Sequence, residues 1–293
     1  MRSDHHHGAA RSEQAPFIQV APVDLTLQDE AALVRRDIVE ALHQTGGGHY
    51  GGCLSVTDIL LVLYRRFLRV NPAAPRHPQR DRLILSKGHA SLAQYALLRR
   101  LGYFDALLAG YASFDSILEG HPDMTRVPGI DFSSGSLGQG LSVAIGMGLA
   151  LRATDQAVWV VLGDGECQEG QVWEAAMLAA ACRLDNVYAI VDYNLFQEWG
   201  WAPTADDPHP PPVPNMEAKW QAFGWHVTEC DGHDGAALEQ ACAAARERRG
   251  QPSVILARTR KGKGVPLIEQ APWRFHCETV TEEEHAIIME SLA

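Results

Sequence analysis

Short apolar runs recur along this chain, separated by longer segments whose apolar residues keep helical spacing. Val158-Trp159-Val160-Val161-Leu162 and Val187-Tyr188-Ala189-Ile190-Val191 are runs of strand length. Leu83-Ile84-Leu85 is a shorter buried strand, and Trp225 to Glu229 and Ser253 to Thr259 read as later ones. Ala31, Val34, Ile38 and Leu42 recur at helical period behind Thr26-Leu27-Gln28-Asp29, which has capping-box spacing. Gly46-Gly47-Gly48 ends that helix. Leu54 to Phe67, Ala90 to Leu101, Leu141 to Arg152, Gln168 to Arg183 and Gly235 to Arg249 read as further helices. Strands alternating with helices predict an α/β fold, a mostly parallel sheet with helices on both faces. No internal repeat is visible.

Two polar residues end two of these strands. Asp164, in Gly163-Asp164-Gly165, follows the first run, and Asn194 closes the second about thirty residues later. The helix between them makes one strand–helix–strand unit of about minimum length. Parallel strands point the same way, so both side chains emerge at one carboxyl edge. Neighbouring strands lie roughly 4.8 Å apart, close enough for two oxygen ligands to meet on one small hard cation. Open parallel sheets bind ligands in such crevices. A lone Gly-Asp-Gly is more often an ordinary turn.

Length and charge narrow the function. The 293 residues suffice for one large α/β domain or two small ones. The formal net charge of −11 argues against a general nucleic-acid binder. No apolar run reaches the length of a membrane span and no signal peptide opens the chain, so a cytoplasmic protein without membrane contact is expected. The six cysteines form no CxxC pair, which gives no zinc-ribbon or dithiol signal and fits a reducing cytosol. Residues 1–16, with His5-His6-His7, have the pattern of a disordered tail; residues 17–293 are expected to form the folded domain. Glu198 to Pro214 carries Trp199, Trp201 and Pro210-Pro211-Pro212, the pattern of an irregular loop near the Asn194 edge.

The motifs around Asp164 resemble the amino-terminal half of transketolase. The resemblance rests on Gly163-Asp164-Gly165-Glu166-Cys167-Gln168-Glu169-Gly170, Ser86-Lys87-Gly88-His89-Ala90, Glu119-Gly120-His121-Pro122, Gly135-Ser136-Leu137-Gly138-Gln139-Gly140 and Lys261-Gly262-Lys263-Gly264, which stand in family order. It runs from about residue 27 to 280. It implies the thiamine-diphosphate-binding fold and its diphosphate domain, with thiamine diphosphate and Mg²⁺ (Ca²⁺ or Mn²⁺ as substitutes) as cofactors. The metal ligands it implies are Asp164, the Asn194 side chain and the Phe196 carbonyl. Cofactor contacts would come from Ser136, Leu137, Gly138, Gly163, Asp164, Gly165, Glu166 and Asn194. His49, His89, His121 and His276 would be the catalytic histidines, although a lone histidine is more often structural. Glu166 also fits a helix-start carboxylate, and Glu282-Glu283-Glu284 reads as a solvated helix start.

Three departures matter. Tyr50 stands where the family usually has Pro, and a ring beside His49 is expected to reshape the substrate channel. His276 lies in Phe275-His276-Cys277 where His-Gly is usual, and Asn194-Leu195-Phe196-Gln197 differs from Asn-Gly-Leu-Gln. The resemblance also implies a split enzyme, because the pyrimidine domain that follows in full-length transketolases has no counterpart here. A carboxy-terminal transketolase subunit would supply the activating Glu, with two copies of each chain in a heterotetramer and sugars or sugar phosphates as substrates. The reaction implied is transfer of a two-carbon ketol unit from a ketose to an aldehyde. A related thiamine carboligase with a non-sugar or 2-keto-acid donor is the main alternative, a non-catalytic subunit the next. A nucleotide binder is weaker, since GxxxxGK[ST] is absent.

Overall fold

The computed structural model describes residues 25–198 and 213–292. The expected tail over residues 1–16, and the proline-rich segment apart from Glu198, Val213 and Pro214, lie outside these.

Helix α1 (Leu27–Gln44) is capped by Thr26, whose hydroxyl oxygen accepts the Asp29 amide at 3.1 Å. It buries Ala31, Val34, Ile38 and Leu42, the face its spacing predicts. Gly46, Gly47 and Gly48 all have positive φ and turn the chain sharply into α2 (Tyr50–Val62), which continues through a π-helical turn at Leu63–Phe67. Then come β1 (Arg82–Leu85), α3 (Ser91–Arg100), α4 (Gln139–Leu151), β2 (Val158–Gly163), α5 (Gly170–Ala181) and β3 (Val187–Tyr193). The chain continues with α6 (Met216–Ala222), β4 (His226–Asp231), α7 (Gly235–Glu247), β5 (Ser253–Arg258), α8 (Pro266–Gln270) and α9 (Glu282–Ser291).

The five strands form one wholly parallel sheet in the order β1-β2-β3-β5-β4. Successive side chains on a strand face opposite ways, and here both faces are covered. Trp159, Val161, Tyr188, Ile190 and Ile255 join the core under α1, α2, α3 and α7. Val158, Val160, Leu162, Ala189, Val191 and Leu256 join the core under α4, α5 and α6. No helix among the described residues is long and apolar enough to cross a membrane.

Element boundaries differ from the sequence reading where glycine is involved. Helix α2 begins at Tyr50, not Leu54, so Gly51 and Gly52 are helical rather than part of the turn. A Cβ on Gly51 would lie 2.7 Å from Lys261 Cγ, and one on Gly52 would lie 3.2 Å from His89 Nε2. Glycine serves close packing there, not chain reversal. Helices α6 and α8 carry no strong periodic signal. The start of α9 is as expected, with a reciprocal capping box between Thr281 and Glu284.

Candidate active-site cleft

Strands β2 and β3 pair with Gly163 opposite Asp192, so Asp164 and Asn194 leave the sheet at the same edge. Both are buried. Asp164 accepts the Leu195 amide at 2.6 Å and the Gly165 amide at 2.9 Å, which ties the two strand ends together. Leu195 takes a positive φ of 64°, and the Asn194 side-chain oxygen accepts the Phe196 amide at 2.9 Å. Burial, reinforced by the nearby Asp192 carboxylate, raises the Asp164 pKa to about 6. This is a buried anion lacking adequate countercharge. The Phe196 carbonyl faces the ammonium of Lys261 at 3.4 Å, so a positive charge already stands beside a proposed ligand oxygen. A carboxylate, an amide oxygen and a backbone carbonyl are the donor types a hard divalent cation takes. The residues therefore fit the metal and diphosphate that the sequence implies.

Glu166 belongs to a short 3₁₀ turn ahead of α5 and is not part of that helix's first turn. It is buried and accepts three bonds: from the Ser86 hydroxyl beyond β1, from Gly138 N–H at 2.8 Å, and from Gly163 N–H at 3.0 Å. One carboxylate thus joins three segments of the cleft floor. Burial raises its pKa. Gly138 has φ 82°, and a Cβ there would approach the Glu169 side chain at 2.8 Å. Its amide is committed to Glu166, and Gly140 N–H to the Ser86 hydroxyl at 3.1 Å. The resemblance implies cofactor contact along this loop, through Ser136, Leu137 and Gly138. Leu137 is the part of that loop that lines the cleft, while Ser136 is exposed.

A buried ion pair lies behind this floor. Lys87 donates to Asp192, which also accepts the hydroxyls of Ser55 (2.6 Å) and Thr259. Burial alone would raise the Asp192 pKa. The Lys87 charge and these hydrogen bonds outweigh it and hold the carboxyl below its usual range.

Three histidines converge on the opposite wall. The rings of His49 and His89 lie 5.1 Å apart, His49 and His276 5.5 Å, and His89 and His276 5.6 Å. His276 Nδ1 is 3.0 Å from Lys261 Nζ, which also donates to the Gln197 carbonyl at 2.8 Å. Burial first, then neighbouring positive charge, lowers His276 to about 3 and His49 to about 4; His89 falls well below its usual value for the same reasons. Burial and Lys87 lower Lys261 to about 8. The imidazoles are therefore neutral at pH 7, ready to accept or donate one hydrogen bond each.

One cleft of about 200 Å³ is lined by Asp164, Glu166, Asn194 and Phe196 together with His89 and His276, with Gly163, Gly165 and Leu137 also at its wall. His49 adjoins it through its ring contacts. His121 is exposed beside Gly135, close enough to His49 to disfavour its protonation. Tyr50 corrects its expectation: it is fully buried in the core, its hydroxyl has no hydrogen-bond partner among the described residues, and it does not line the cleft. Lys87, Asp192, Lys261 and Gly52 are functional positions that the sequence does not predict. Asp192, a charge inside an otherwise apolar strand, is the signal for one of them. Lys87 and Lys261 stand inside motifs that the resemblance already singles out.

Residues 27–292 match the family described as transketolase, thiamine diphosphate binding domain. The chain is 42% identical over 248 residues to the 6-deoxy-6-sulfo-D-fructose transketolase subunit of Clostridium sp. (strain MSTE9), covering 84% of this chain and 88% of that one. It is 35% identical over 266 residues to an apulose-4-phosphate transketolase subunit of Phocaeicola vulgatus, covering 89% and 92%. The transketolase structure from Campylobacter jejuni superposes with a TM-score of 0.81 at 29% identity, covering 92% of this chain but 43% of that one. The chain thus spans less than half of a full-length transketolase and most of a transketolase subunit. It belongs to the transketolase family, in the thiamine-diphosphate-binding part.

Proposed function

We propose that this member of the transketolase family is the diphosphate-binding subunit of a two-chain enzyme, which moves a two-carbon ketol unit from a ketose donor to an aldehyde acceptor. The observation that carries this reading is the buried oxygen set of Asp164, Asn194 and Phe196 at the joined ends of β2 and β3. It occurs in a chain that spans 88% and 92% of two relatives themselves named as transketolase subunits. Mg²⁺, with Ca²⁺ or Mn²⁺ as substitutes, would be held by the Asp164 carboxylate, the Asn194 amide oxygen and the Phe196 carbonyl. The diphosphate would sit against that cation, near Gly163, Gly165 and Leu137, with Lys261 supplying further positive charge. Ser136, Gly138 and Glu166 frame this corner, Glu166 chiefly by holding it together. Thiamine diphosphate, when bound, supplies the electron sink that carbon–carbon cleavage requires.

The chain's own contribution is binding and proton placement. Neutral His49, His89 and His276 orient the hydroxyls of a ketose and hold or accept a proton at a ring nitrogen. His121 acts at the rim. The Clostridium relative is named for a sulfonated ketose and the Phocaeicola relative for a phosphorylated one. A sugar carrying an anionic group is accordingly the substrate class proposed.

The partner is a carboxy-terminal transketolase subunit with the pyrimidine domain. Helices α4 and α5 are apolar yet leave Met177 and Leu178 about half exposed, which supports a protein-covered face. Two copies of each chain would satisfy closed two-fold symmetry. Six free cysteines support a cytoplasmic setting. Residues 17–293 are taken as one domain, and the family match over 27–292 supports this.

Reconstitution tests the reading. The purified chain alone, given Mg²⁺ and thiamine diphosphate, should transfer no ketol unit. Adding the pyrimidine-domain chain should restore transfer, and Asp164→Asn should reduce the restored rate by at least about 100-fold. Robust activity from this chain by itself would overturn the two-chain proposal.

A further inference from the structure

Far from the cleft in chemistry, though not in sequence, two helices bring together an unassigned set of metal-ligating side chains. His43 lies in the last turn of α1, while Glu282 and His285 lie on α9. One ligand atom from each of the three falls within 4.8 Å of the others. His43 Nε2 is 3.2 Å from Glu282 Oε2. The His43 and His285 rings stack with centroids 3.7 Å apart and planes 6° apart, and His285 Nε2 is buried without a hydrogen-bond partner among the described residues. On α9 the pair is Glu-x-x-His, a spacing that puts both side chains on one face. The same spacing recurs on α1, where Glu40 precedes His43, and the Glu40 carboxylate is near enough to favour protonation of His285.

We propose that His43, Glu282 and His285 form a binding site for a divalent first-row transition ion of the zinc type, which pins α9 onto the end of α1. The donor set is two imidazole nitrogens and a carboxylate oxygen, with Glu40 or water to complete it. Nitrogen-rich sites of this kind select zinc, cobalt or nickel over Mg²⁺ and Ca²⁺, which prefer oxygen alone. Metal–ligand bonds of about 2.0–2.1 Å in a tetrahedron place ligand atoms roughly 3.3 Å apart. The His43–Glu282 separation of 3.2 Å already matches that, and the third ligand atom lies within 4.8 Å of both. The stacked rings must tilt apart, because a metal bound by both imidazoles has to lie near the plane of each.

The location gives the site a consequence. Six residues after His43 comes His49. The strand-like contact between Gly48 and Glu278, four residues before Glu282, joins the same two segments. The bridge is antiparallel, so an ion here would fasten one end of that contact and stiffen the turn that carries His49.

The test uses the full chain in excess Mg²⁺, so that the Asp164 corner is filled. Cobalt(II) is titrated and its ligand-field absorption followed; thermal unfolding is then measured with and without Zn²⁺. His5-His6-His7 adds background binding, which is common to parent and variants and cancels in the comparison. The parent should bind one more cobalt ion than His43→Ala or His285→Ala, and Zn²⁺ should raise its unfolding midpoint by several degrees more than theirs. Glu282→Gln covers the case in which a histidine variant misfolds. Its side chain is 89% exposed and lies outside the capping box, so the fold survives while a ligand is lost and cobalt affinity should fall at least tenfold. Equal cobalt affinity and equal Zn²⁺ shifts in parent and Glu282→Gln would overturn the site and leave the stacked pair as a packing contact.

Discussion

Asp164 carries opposite values for stability and for function. Its carboxyl is forced from the ordinary 3.8 to about 6 by burial and by Asp192. At pH 7 it is nonetheless charged, which costs the cofactor-free chain up to about 3 kcal/mol from that shift. A group with a raised folded pKa favours the fold below its unfolded value and loses that contribution as pH rises through the folded one. Asp164→Asn keeps the shape and removes the charge, while its NH2 replaces one of the two oxygens that accept backbone N–H groups, which offsets part of the gain. It should stabilise the free chain by about 1–2 kcal/mol at pH 7, seen in chemical denaturation, with the gain fading near pH 4. The same variant should lose Mg²⁺-dependent retention of thiamine diphosphate in calorimetric titration. A variant no more stable than the parent would mean that the carboxylate is better compensated than its surroundings indicate. The Lys87–Asp192 pair shows the converse. There a full countercharge and two hydroxyls accompany the buried carboxylate, so removing either partner strands a charge.

At the scale of elements, the cleft floor is three segment ends joined by Glu166. Gly163 closes β2, Gly138 opens α4, and Ser86 follows β1; each donates to the one carboxylate. Glu166→Ala leaves two backbone N–H groups buried without acceptors, at about 1–3 kcal/mol each. The expected result is a loss of about 2–4 kcal/mol, with amide exchange accelerated at Gly138 and Gly163. Glu166→Gln retains one acceptor oxygen and should lose about half as much. If exchange at Gly138 is unchanged in Glu166→Ala, the loop is held by its own glycine geometry and not by the carboxylate. This junction also fixes the backbone of the loop, Gly138 through Glu166 and Gly140 through Ser86. Glycines spaced as if to cradle a ligand are occupied by a side chain from another segment.

For the molecule as a whole, acid should act through the histidine wall. His49 and His276 have folded pKa values of about 4 and 3, against 6.5 unfolded. Between those values the unfolded chain binds more protons, so stability falls as pH drops from about 6.5 toward 4. Asp164 works the other way in the same window, since its folded form takes up a proton below about 6. His276→Gln should therefore flatten the loss of thermal stability between pH 7 and pH 5, by on the order of 1 kcal/mol after solvent screening. Asp164→Asn should steepen it. Parallel midpoint-versus-pH curves for parent and His276→Gln would show that this ring titrates normally.

The order of the strands and the longer helices, the shared edge of Asp164 and Asn194, and the helical face of α1 were set by the sequence alone. Each depends on local periodicity or on the direction of parallel strands, which a linear pattern records. The position of Tyr50, the commitment of Gly138 and the pairing of Lys87 with Asp192 were decided by tertiary structure. These depend on which segments meet across 28 to 105 positions of chain, and no local pattern specifies that. The same reason separates the histidines. His49, His89 and His276 come from three distant segments and converge only because α2, the turn before α3 and the chain after α8 close over one sheet edge. The pairing of His43 with His285 likewise arises only where the last helix packs on the first.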